Sequence, residues 1–194
     1  MTNVIAEPPA AAAPPGTRQR ILAAAAPLFQ RHGTDGVGVD AIMHAAGLTH
    51  GGFYAHFPSK EALIAECAAT SLARSAARWQ RVAAEAPAAA ALAQLVDAYL
   101  DPRHLQGDVP SCVLATLGPD IARRPAARAG ITASLRQMVA ALARCLPGRQ
   151  AARKRQRALA SLSCLVGAVT LARLADDPAL ATEFLDAARA ELIG

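Results

Sequence analysis

The sequence predicts an all-α protein, and three observations support this fold class. Alanine, the strongest helix former and a weak strand former, makes up about a quarter of the 194 residues. Hydrophobic residues reach 53%, whereas aromatic residues are only 4%. Apolar residues recur at spacings of three and four along most of the chain, which is the pattern of amphipathic helices. The composition therefore argues against β-sandwiches and β-barrels, and the length allows a small domain joined to a larger one.

The charge balance and the cysteines exclude several classes of protein. A net charge of +5 with 18% charged residues favours an anionic partner and does not fit a disordered polyelectrolyte. No apolar run reaches the roughly 18 uncharged residues of a membrane span, and the N-terminus lacks the features of a secretory signal. The four cysteines are widely separated, so we expect a reducing cytoplasm, no metal site and no cofactor.

The first predicted elements are a flexible tail and one amphipathic helix. Residues 1–16 are rich in proline and alanine, which is typical of a flexible tail. An apolar stripe then runs from Ile21 to Phe29, so a helix begins near Thr17 and continues through Pro27 despite the cost of an internal proline. Gly33 ends this helix.

Three more helices follow within a short stretch. A short helix over residues 39–46 ends at Gly47, a second short helix covers residues 50–56, and Ser59 caps a long helix over about 60–86. Gly47 would supply the left-handed residue that lets two helices cross steeply. Short helices joined by turns of three or four residues are the outline of a helix-turn-helix domain.

The second part of the chain predicts longer amphipathic helices separated by proline and glycine breaks. They are placed at about 88–101, 110–123, 125–145, 151–175 and 177–192. The boundary between the two parts falls inside the long helix that begins at Lys60, so no flexible linker is expected.

The segment from Gly36 to Leu63, GVGVDAIMHAAGLTHGGFYAHFPSKEAL, resembles the DNA-binding signature of the TetR/AcrR family of bacterial transcriptional repressors. The positions that carry the resemblance are Ile42, Ala46-Gly47, Leu48, Thr49, Phe53-Tyr54, His56-Phe57, Ser59-Lys60-Glu61 and Leu63. It implies a tail at 1–16, a three-helix DNA-binding domain at 17–63, and a larger helical ligand-binding and dimerisation domain at 64–194. It also implies a homodimeric, ligand-responsive repressor of a palindromic operator, working in the bacterial cytoplasm.

The resemblance assigns DNA-binding roles to seven residues. The residues that match the family's backbone-phosphate contacts are Thr49, Tyr54, His56 and Lys60. The residues that match its base-reading positions are His50, Gly51 and Gly52. The two glycines cost helix propensity, which makes sense where the backbone approaches DNA closely. The alternative for Tyr54 and His56 is ordinary packing in a helical core.

Two residues depart from the family pattern. Gly38 stands where a Thr or Ser usually caps the first motif helix, and Asp40 stands where a basic residue often contacts DNA. An acid near phosphates is repulsive, and residues 17–60 carry only four basic residues against two acidic ones. A second interpretation therefore stays open, a helical small-molecule or thiol-based sensor with weakened DNA binding.

The last two helices carry enough apolar surface for a dimer interface of four helices. The candidate interface residues are Leu162, Val166, Val169, Leu180, Phe184 and Leu185. The alternative is that these helices bury the same surface within one subunit. A basic cluster over residues 149–157 is interpreted as a solvated helix start rather than a second nucleic-acid patch.

A ligand pocket is expected among the middle helices, lined by apolar residues. The candidates are Trp79, Leu95, Tyr99, Cys112, Leu114, Leu117, Leu135 and Met138. Cys112 would lie in a first helical turn, where the pKa of a thiol falls, and one branch of the family senses electrophiles with a cysteine near this place. The alternative is an ordinary small core residue. The effector would then be a small apolar or electrophilic molecule.

An enzyme is the remaining class, and the sequence gives it little support. It shows no Ser/His/Asp arrangement, no metal-ligand spacing and no phosphate loop. His104 near Asp101 has no nucleophile with a defined role. The sequence therefore predicts a DNA-binding regulator that is not an enzyme and that has no membrane partner.

Overall fold

A computed structural model describes residues 16–106 and 111–194, and every regular element in these ranges is helical. The α-helices are α1 (Thr17–His32), α2 (Val39–Ala45), α3 (Lys60–Glu85), α4 (Ala88–Tyr99), α5 (Arg103–Gln106), α6 (Val113–Ala122), α7 (Pro125–Cys145), α8 (Ala151–Leu174) and α9 (Pro178–Ile193). A short 3₁₀ turn, His50–Gly52, lies between α2 and α3. The tail predicted at 1–16 lies outside the described residues except for Gly16, as does the helix start predicted at residue 110.

The first helix forms as its apolar stripe predicts. Ile21, Ala25 and Phe29 are fully buried, and the helix runs past Pro27 to His32 before Gly33, at φ +71°, ends it. Pro27 has no N–H to donate, so the carbonyl of Ala23 has no partner within the helix. The predicted continuation through Pro27 is confirmed.

The N-terminal helices enclose a small core of their own. Phe29 from α1, Ile42 and Met43 from α2, and Phe53 after the 3₁₀ turn are all shielded from solvent. Leu63 in the first turn of α3 completes this core. We call residues 17–59 the head, because they form a unit that packs on the first turns of α3.

The rest of the chain is a helical body organised around α3. Its main partner is α7, and the two helices approach so closely that a Cβ added at Gly130 would lie 3.3 Å from the Cβ of Ala69. Helices α8 and α9 pack on each other and α8 also packs on α7. The long helices therefore lie close to their predicted positions, while the one-turn helix α5 was not predicted.

The head is joined to the body by five polar residues that we call the clasp: Thr34, Asp35, Glu61, Asp120 and Arg124. Asp120 Oδ2 on α6 accepts hydrogen bonds from the backbone N–H of Thr34 at 3.0 Å and from its hydroxyl at 2.9 Å. Arg124 donates to Asp35 at 2.6 Å and to Glu61 at 3.0 Å. These contacts connect the turn after α1 to the segment between α6 and α7, so the head cannot tilt without disturbing α6.

Candidate nucleic-acid interface

Gly47 forms the turn between α2 and residues 50–56, which we call the recognition segment. Gly47 has φ +65°, which confirms the predicted left-handed turn residue. Arg20 on α1 reaches across and donates through Nη2 to the carbonyls of Ala46 at 2.8 Å and Gly47 at 3.3 Å. These carbonyls end a short helix whose C-terminus carries partial negative charge, so the guanidinium satisfies and stabilises them.

The helix predicted over residues 50–56 is wrong in its extent. Only His50–Gly52 is helical, as one 3₁₀ turn, and turns continue to His56. Thr49 occupies the N-cap position without a side-chain hydrogen bond. The physical reason is that Gly51 and Gly52 each lower helix stability by about 1 kcal/mol, and so short a segment cannot offset the cost of nucleation.

Two phenylalanines anchor this segment to the head. Phe53 and Phe57 are buried, and their rings stack with centroids 5.8 Å apart. The guanidinium of Arg18 lies 4.3 Å from the centre of the Phe57 ring and pairs with Glu66. The segment therefore keeps its position although it contains little regular helix.

The residues with predicted DNA roles form one outward surface. Thr49, His50 and Gly51 are exposed and Tyr54 is 63% exposed, which is inconsistent with the alternative of core packing for Tyr54. The remaining predicted residues, which are half-buried, are Gly52, His56 and Lys60. We call the seven residues together the reading surface.

The end of this surface is a helix N-terminus. Ser59 Oγ accepts a hydrogen bond from the N–H of Ala62 at 3.1 Å, which confirms the predicted cap of α3. Lys60 is the first residue of the helix, next to backbone N–H groups that carry partial positive charge. Such an arrangement suits a phosphate oxygen.

Both acidic residues of the head have a side-chain partner. Asp40 contacts the ring Nδ1 of His50, and Asp35 pairs with the guanidinium of Arg124 in the clasp. The guanidinium of Arg124 reduces the repulsion that Asp35 would exert on phosphate. Sequence reasoning identified the acid at position 40 as a departure and missed its partner ten residues later.

Nothing within the described residues requires glycine at position 51. Its φ is not positive, and a Cβ added there would meet no atom within 4 Å. The fold could therefore accommodate a side chain at this exposed position. Close approach of another molecule to the backbone would account for glycine here.

A large cavity lies between the head and the body. Its volume is about 1120 Å³, and it is lined by residues of α1, α3, α4, α5, α8 and the start of α6. Of the predicted pocket residues, Trp79, Tyr99 and Cys112 line it. The other predicted residues lie in or against the hydrophobic core: Leu95, Leu114, Leu117, Leu135 and Met138.

The cavity wall mixes apolar and polar residues. Leu22, Trp79, Val113 and Val169 line it together with alanines, hydroxyl groups and arginines, while the other large apolar side chains bury one another in the core. Residues 111 and 112 enter it from the segment before α6, where the carbonyl of Ser111 accepts from Gln30 of α1 at 3.2 Å.

Cys112 is the N-cap residue of α6, but the pKa predicted for its thiol is wrong in direction. Burial raises the pKa of Cys112, and the smaller opposing effect of the Tyr99 hydroxyl and of nearby N–H groups does not reverse it. Desolvation of a thiolate at this half-buried position therefore outweighs the partial positive charge of the helix.

The predicted dimer residues divide between two faces. Leu162, Val169 and Leu185 are buried inside the subunit, so their assignment to a dimer interface is wrong. The others, Val166, Leu180 and Phe184, keep exposed surface. Further exposed apolar residues on α8 are Leu159 (47%), Leu171 (46%) and Leu174 (76%).

Helix α8 carries apolar side chains on its exposed side as well as on its buried side. Its most apolar 18-residue stretch has a mean hydropathy of 1.4, so by length and composition alone the helix could cross a membrane. A core helix of a soluble protein passes the same test. Within residues 16–106 and 111–194, no group of three or more His, Cys, Asp or Glu residues is placed to hold a metal ion.

Comparison with known proteins identifies the head. Residues 21–67 match the model of the bacterial regulatory proteins of the tetR family. No curated protein sequence matches the chain significantly.

Solved structures share the fold of the whole chain. Reduced NemR from E. coli superposes with a TM-score of 0.77 at 20% identity, over 91% of this chain and 94% of NemR. A TetR transcriptional regulator from Legionella pneumophila gives 0.78 at 22% identity, over 92% and 96%. The fatty acid degradation regulator FadR from Bacillus halodurans gives 0.68 at 19% identity, over 94% and 97%. Residues 21–67 therefore match the family's DNA-binding domain, and the chain as a whole shares the fold of these solved structures.

Proposed function

We propose that this protein is a TetR/AcrR-family transcriptional regulator, a ligand-responsive repressor that binds a palindromic operator as a homodimer in the bacterial cytoplasm, on the nucleoid. The reading surface is the observation that carries the proposal. It is exposed, held by two buried phenylalanines, and lies in the domain that matches the family model. His50, Gly51 and Gly52 would face base edges in the major groove. The residues that would contact phosphates are Thr49, Tyr54, His56 and Lys60.

The two lysines of the chain give a matched test of DNA binding. Lys60 belongs to the reading surface, whereas Lys154 lies at the start of α8 in the basic cluster over 149–157. Binding to DNA from upstream of the protein's own gene is measured by gel shift at several salt concentrations. Each phosphate contact contributes about 0.9 to the slope of log K against log salt, so Lys60→Ala lowers the slope by about 2 per dimer.

Lys154→Ala should leave the slope unchanged. Equal losses from both variants would favour a second nucleic-acid patch over the reading surface. The absence of salt-sensitive, sequence-selective binding by the wild-type protein would favour the other candidate, a sensor that has lost DNA binding. Asp40 is the observation that supports this second candidate.

The exposed faces of α8 and α9 support the homodimer. The apolar side chains of Val166, Leu171 and Leu174 lie on them, and the polar residues among them are internally satisfied. Ser163 Oγ donates to Leu159 O at 3.0 Å and Thr170 Oγ1 to Val166 O at 2.8 Å. Such a face can be buried without stranding a hydrogen-bond donor.

Sedimentation velocity tests the dimer. Leu174→Glu places a charge on the most exposed leucine of the face and should produce monomers with native circular dichroism. Ala133→Glu, on an exposed position of α7, is the control and should remain dimeric. A monomeric wild-type protein at micromolar concentration would overturn this part of the proposal.

A bound effector would act by favouring a head orientation that does not fit the operator. The cavity supports this mechanism because α1 of the head forms one of its walls. The clasp residues Asp120 and Arg124 would transmit the change through α6. Ligand-dependent release of operator DNA, and its loss when the clasp is removed, test the mechanism.

A further inference from the structure

The polar groups that line the cavity include three that have no hydrogen-bond partner among the described residues. They are Tyr99 Oη, His104 Nδ1 and Ser111 Oγ, and all three atoms are shielded from solvent. Tyr99 as a whole is 8% exposed. Its hydroxyl lies beside the Cys112 thiol, which is a weak hydrogen-bonding group. Buried polar groups are rarely left unpaired, so these three atoms are available to water or to a polar group of a ligand that enters the cavity.

The charged residues around the cavity indicate the sign of the charge that a ligand bound there would carry. The charged residues that line it are Arg31, Arg74, Arg78, Arg103 and Arg173, against Asp97 and Asp101. Asp97 pairs with Arg189 at 3.0 Å. Hydrogen bonds from Arg103 hold the pKa of Asp101 at about 2, so this carboxylate is ionised and already occupied. Both carboxylates are therefore already paired with arginines and are not free to bind a cationic ligand.

Three of these arginines have no such partner. Arg31, Arg74 and Arg78 make no ion pair and no hydrogen bond with any residue in 16–106 or 111–194. Arg74 and Arg78 are one turn apart on α3, so their side chains project from the same face of the helix. Planar guanidinium groups bind carboxylates through two parallel hydrogen bonds.

An aromatic pair gives the cavity a place for an apolar group. The Trp79 and Tyr99 rings pack edge to face, with centroids 5.8 Å apart and planes at 78°. Both residues line the cavity, next to the alanines of α1. The cavity thus combines cationic and apolar walls, with hydroxyl groups between them.

From this arrangement we infer that the cavity binds an organic carboxylate with a ring or chain of apolar carbon atoms. The carboxylate lies between Arg74, Arg78 and the hydroxyls of Tyr99 and Ser111, and the apolar body lies against the Trp79–Tyr99 pair. Burial raises the pKa of Tyr99, so its hydroxyl stays protonated and can donate to the carboxylate. The inference rests on the proposed function only in treating this cavity as the effector site.

Binding of 2-naphthoate and of 2-naphthamide by isothermal titration calorimetry, without DNA, tests this inference. The two probes have the same shape and differ in charge. We expect the acid to bind at least about tenfold more tightly, because two unpaired guanidinium groups face its charge. Acetate, which lacks the apolar body, should bind weaker than naphthoate by a similar factor.

Variants assign the effect to named groups. Arg74→Gln/Arg78→Gln should remove the preference for the acid over the amide, whereas Arg136→Gln, an exposed arginine of α7 outside the cavity, should retain it. Tyr99→Phe removes a hydroxyl whose neighbour in the free protein is the weakly hydrogen-bonding Cys112 thiol. It should therefore leave the melting temperature unchanged or raised while weakening naphthoate binding about five- to tenfold.

Three results would overturn the inference. They are equal affinity for acid and amide, a preference of the wild-type protein for the cation 2-naphthylmethylammonium, and no saturable binding of any acid near 1 mM. The proposed function is judged separately by gel shift without ligand. If the protein binds its operator but not the naphthoate, the carboxylate inference is rejected and the proposed function stands. If it binds the naphthoate but not an operator, the repressor proposal is rejected and the carboxylate inference stands.

Discussion

Replacing Asp120 with alanine should destabilise the protein far more than the loss of a surface ion pair. Asp120 Oδ2 accepts from both the N–H and the hydroxyl of Thr34, and Thr34 is fully buried. Removal of the carboxylate strands two buried donors, each costing about 1–3 kcal/mol. Partial relaxation of the turn reduces the sum, so we expect the free energy of unfolding to fall by about 3 kcal/mol.

The choice of a second variant separates hydrogen bonding from charge. Both bonds from Thr34 end on the same carboxylate oxygen, so the carbonyl oxygen of asparagine can accept both. Asp120→Asn should therefore lose only the charge assistance, about 1 kcal/mol. Asp120 also pairs through Oδ1 with Arg123, three residues on, at 2.6 Å. Asp186 forms the same i,i+3 pair with Arg189 at 2.7 Å but holds no buried donor, so Asp186→Ala should change stability by less than about 0.5 kcal/mol.

Urea unfolding followed by far-ultraviolet circular dichroism measures all three variants at one protein concentration. The expected order of stability loss is Asp120→Ala, then Asp120→Asn, then Asp186→Ala. An Asp120→Ala protein within about 0.5 kcal/mol of the wild type would refute the argument that Thr34 depends on this carboxylate. Equal losses of unfolding free energy in the alanine and asparagine variants would also refute it, because the carbonyl oxygen of asparagine should accept both hydrogen bonds from Thr34.

Three further predictions concern acid stability and the head. Hydrogen bonds from Thr34 lower the pKa of Asp120. The stabilisation by the ionised carboxylate is fully present above the unfolded pKa of about 4 and is lost as the pH falls through the lower folded pKa. The difference in unfolding free energy between wild type and Asp120→Asn, measured in urea, should therefore shrink from pH 6 to pH 3. Gly51→Ala should stabilise the fold by up to about 1 kcal/mol and weaken operator binding in gel shifts. Gly118→Ala, at a position equally free of contacts, should leave DNA affinity unchanged. Tighter DNA binding by Gly51→Ala would exclude a close approach of DNA to the backbone at this position. Arg20→Ala should lower the unfolding free energy by about 1 kcal/mol in urea, because two carbonyls of the turn lose a charged donor, and an unchanged value would show that water replaces it fully.

Local chemistry made the N-terminal half of the fold predictable. Gly47, Ser59 and Gly33 act within a few residues of themselves, through a left-handed turn, a cap and a helix end, so their roles are visible in the sequence. The conformation of the recognition segment was harder to predict. Its spacing matched a helix, but Gly51 and Gly52 leave too little propensity for more than one 3₁₀ turn.

The cavity and the clasp could not be predicted, because they depend on which helix faces meet. Leu95 and Met138 have the apolar character of pocket residues, but packing places them in the core. The contacts of Arg124 with Asp35 and Glu61 span 89 and 63 residues of sequence. Periodicity shows that a helix has an apolar face and does not show which partner covers it, and α8, with two such faces, is the clearest case.

The position of α1 has an evolutionary consequence. This helix carries the head on one side and forms a wall of the cavity on the other, where Ala23, Ala26 and Gln30 contribute to the lining. Mutations at these positions that adapt the protein to a new ligand will also shift the DNA-binding unit, so selection acts on both properties together. Positions 74 and 78 on α3 lie outside the head and can vary with less effect on the operator. Divergence of ligand preference among descendants of this protein should therefore accumulate on α3 before it reaches α1.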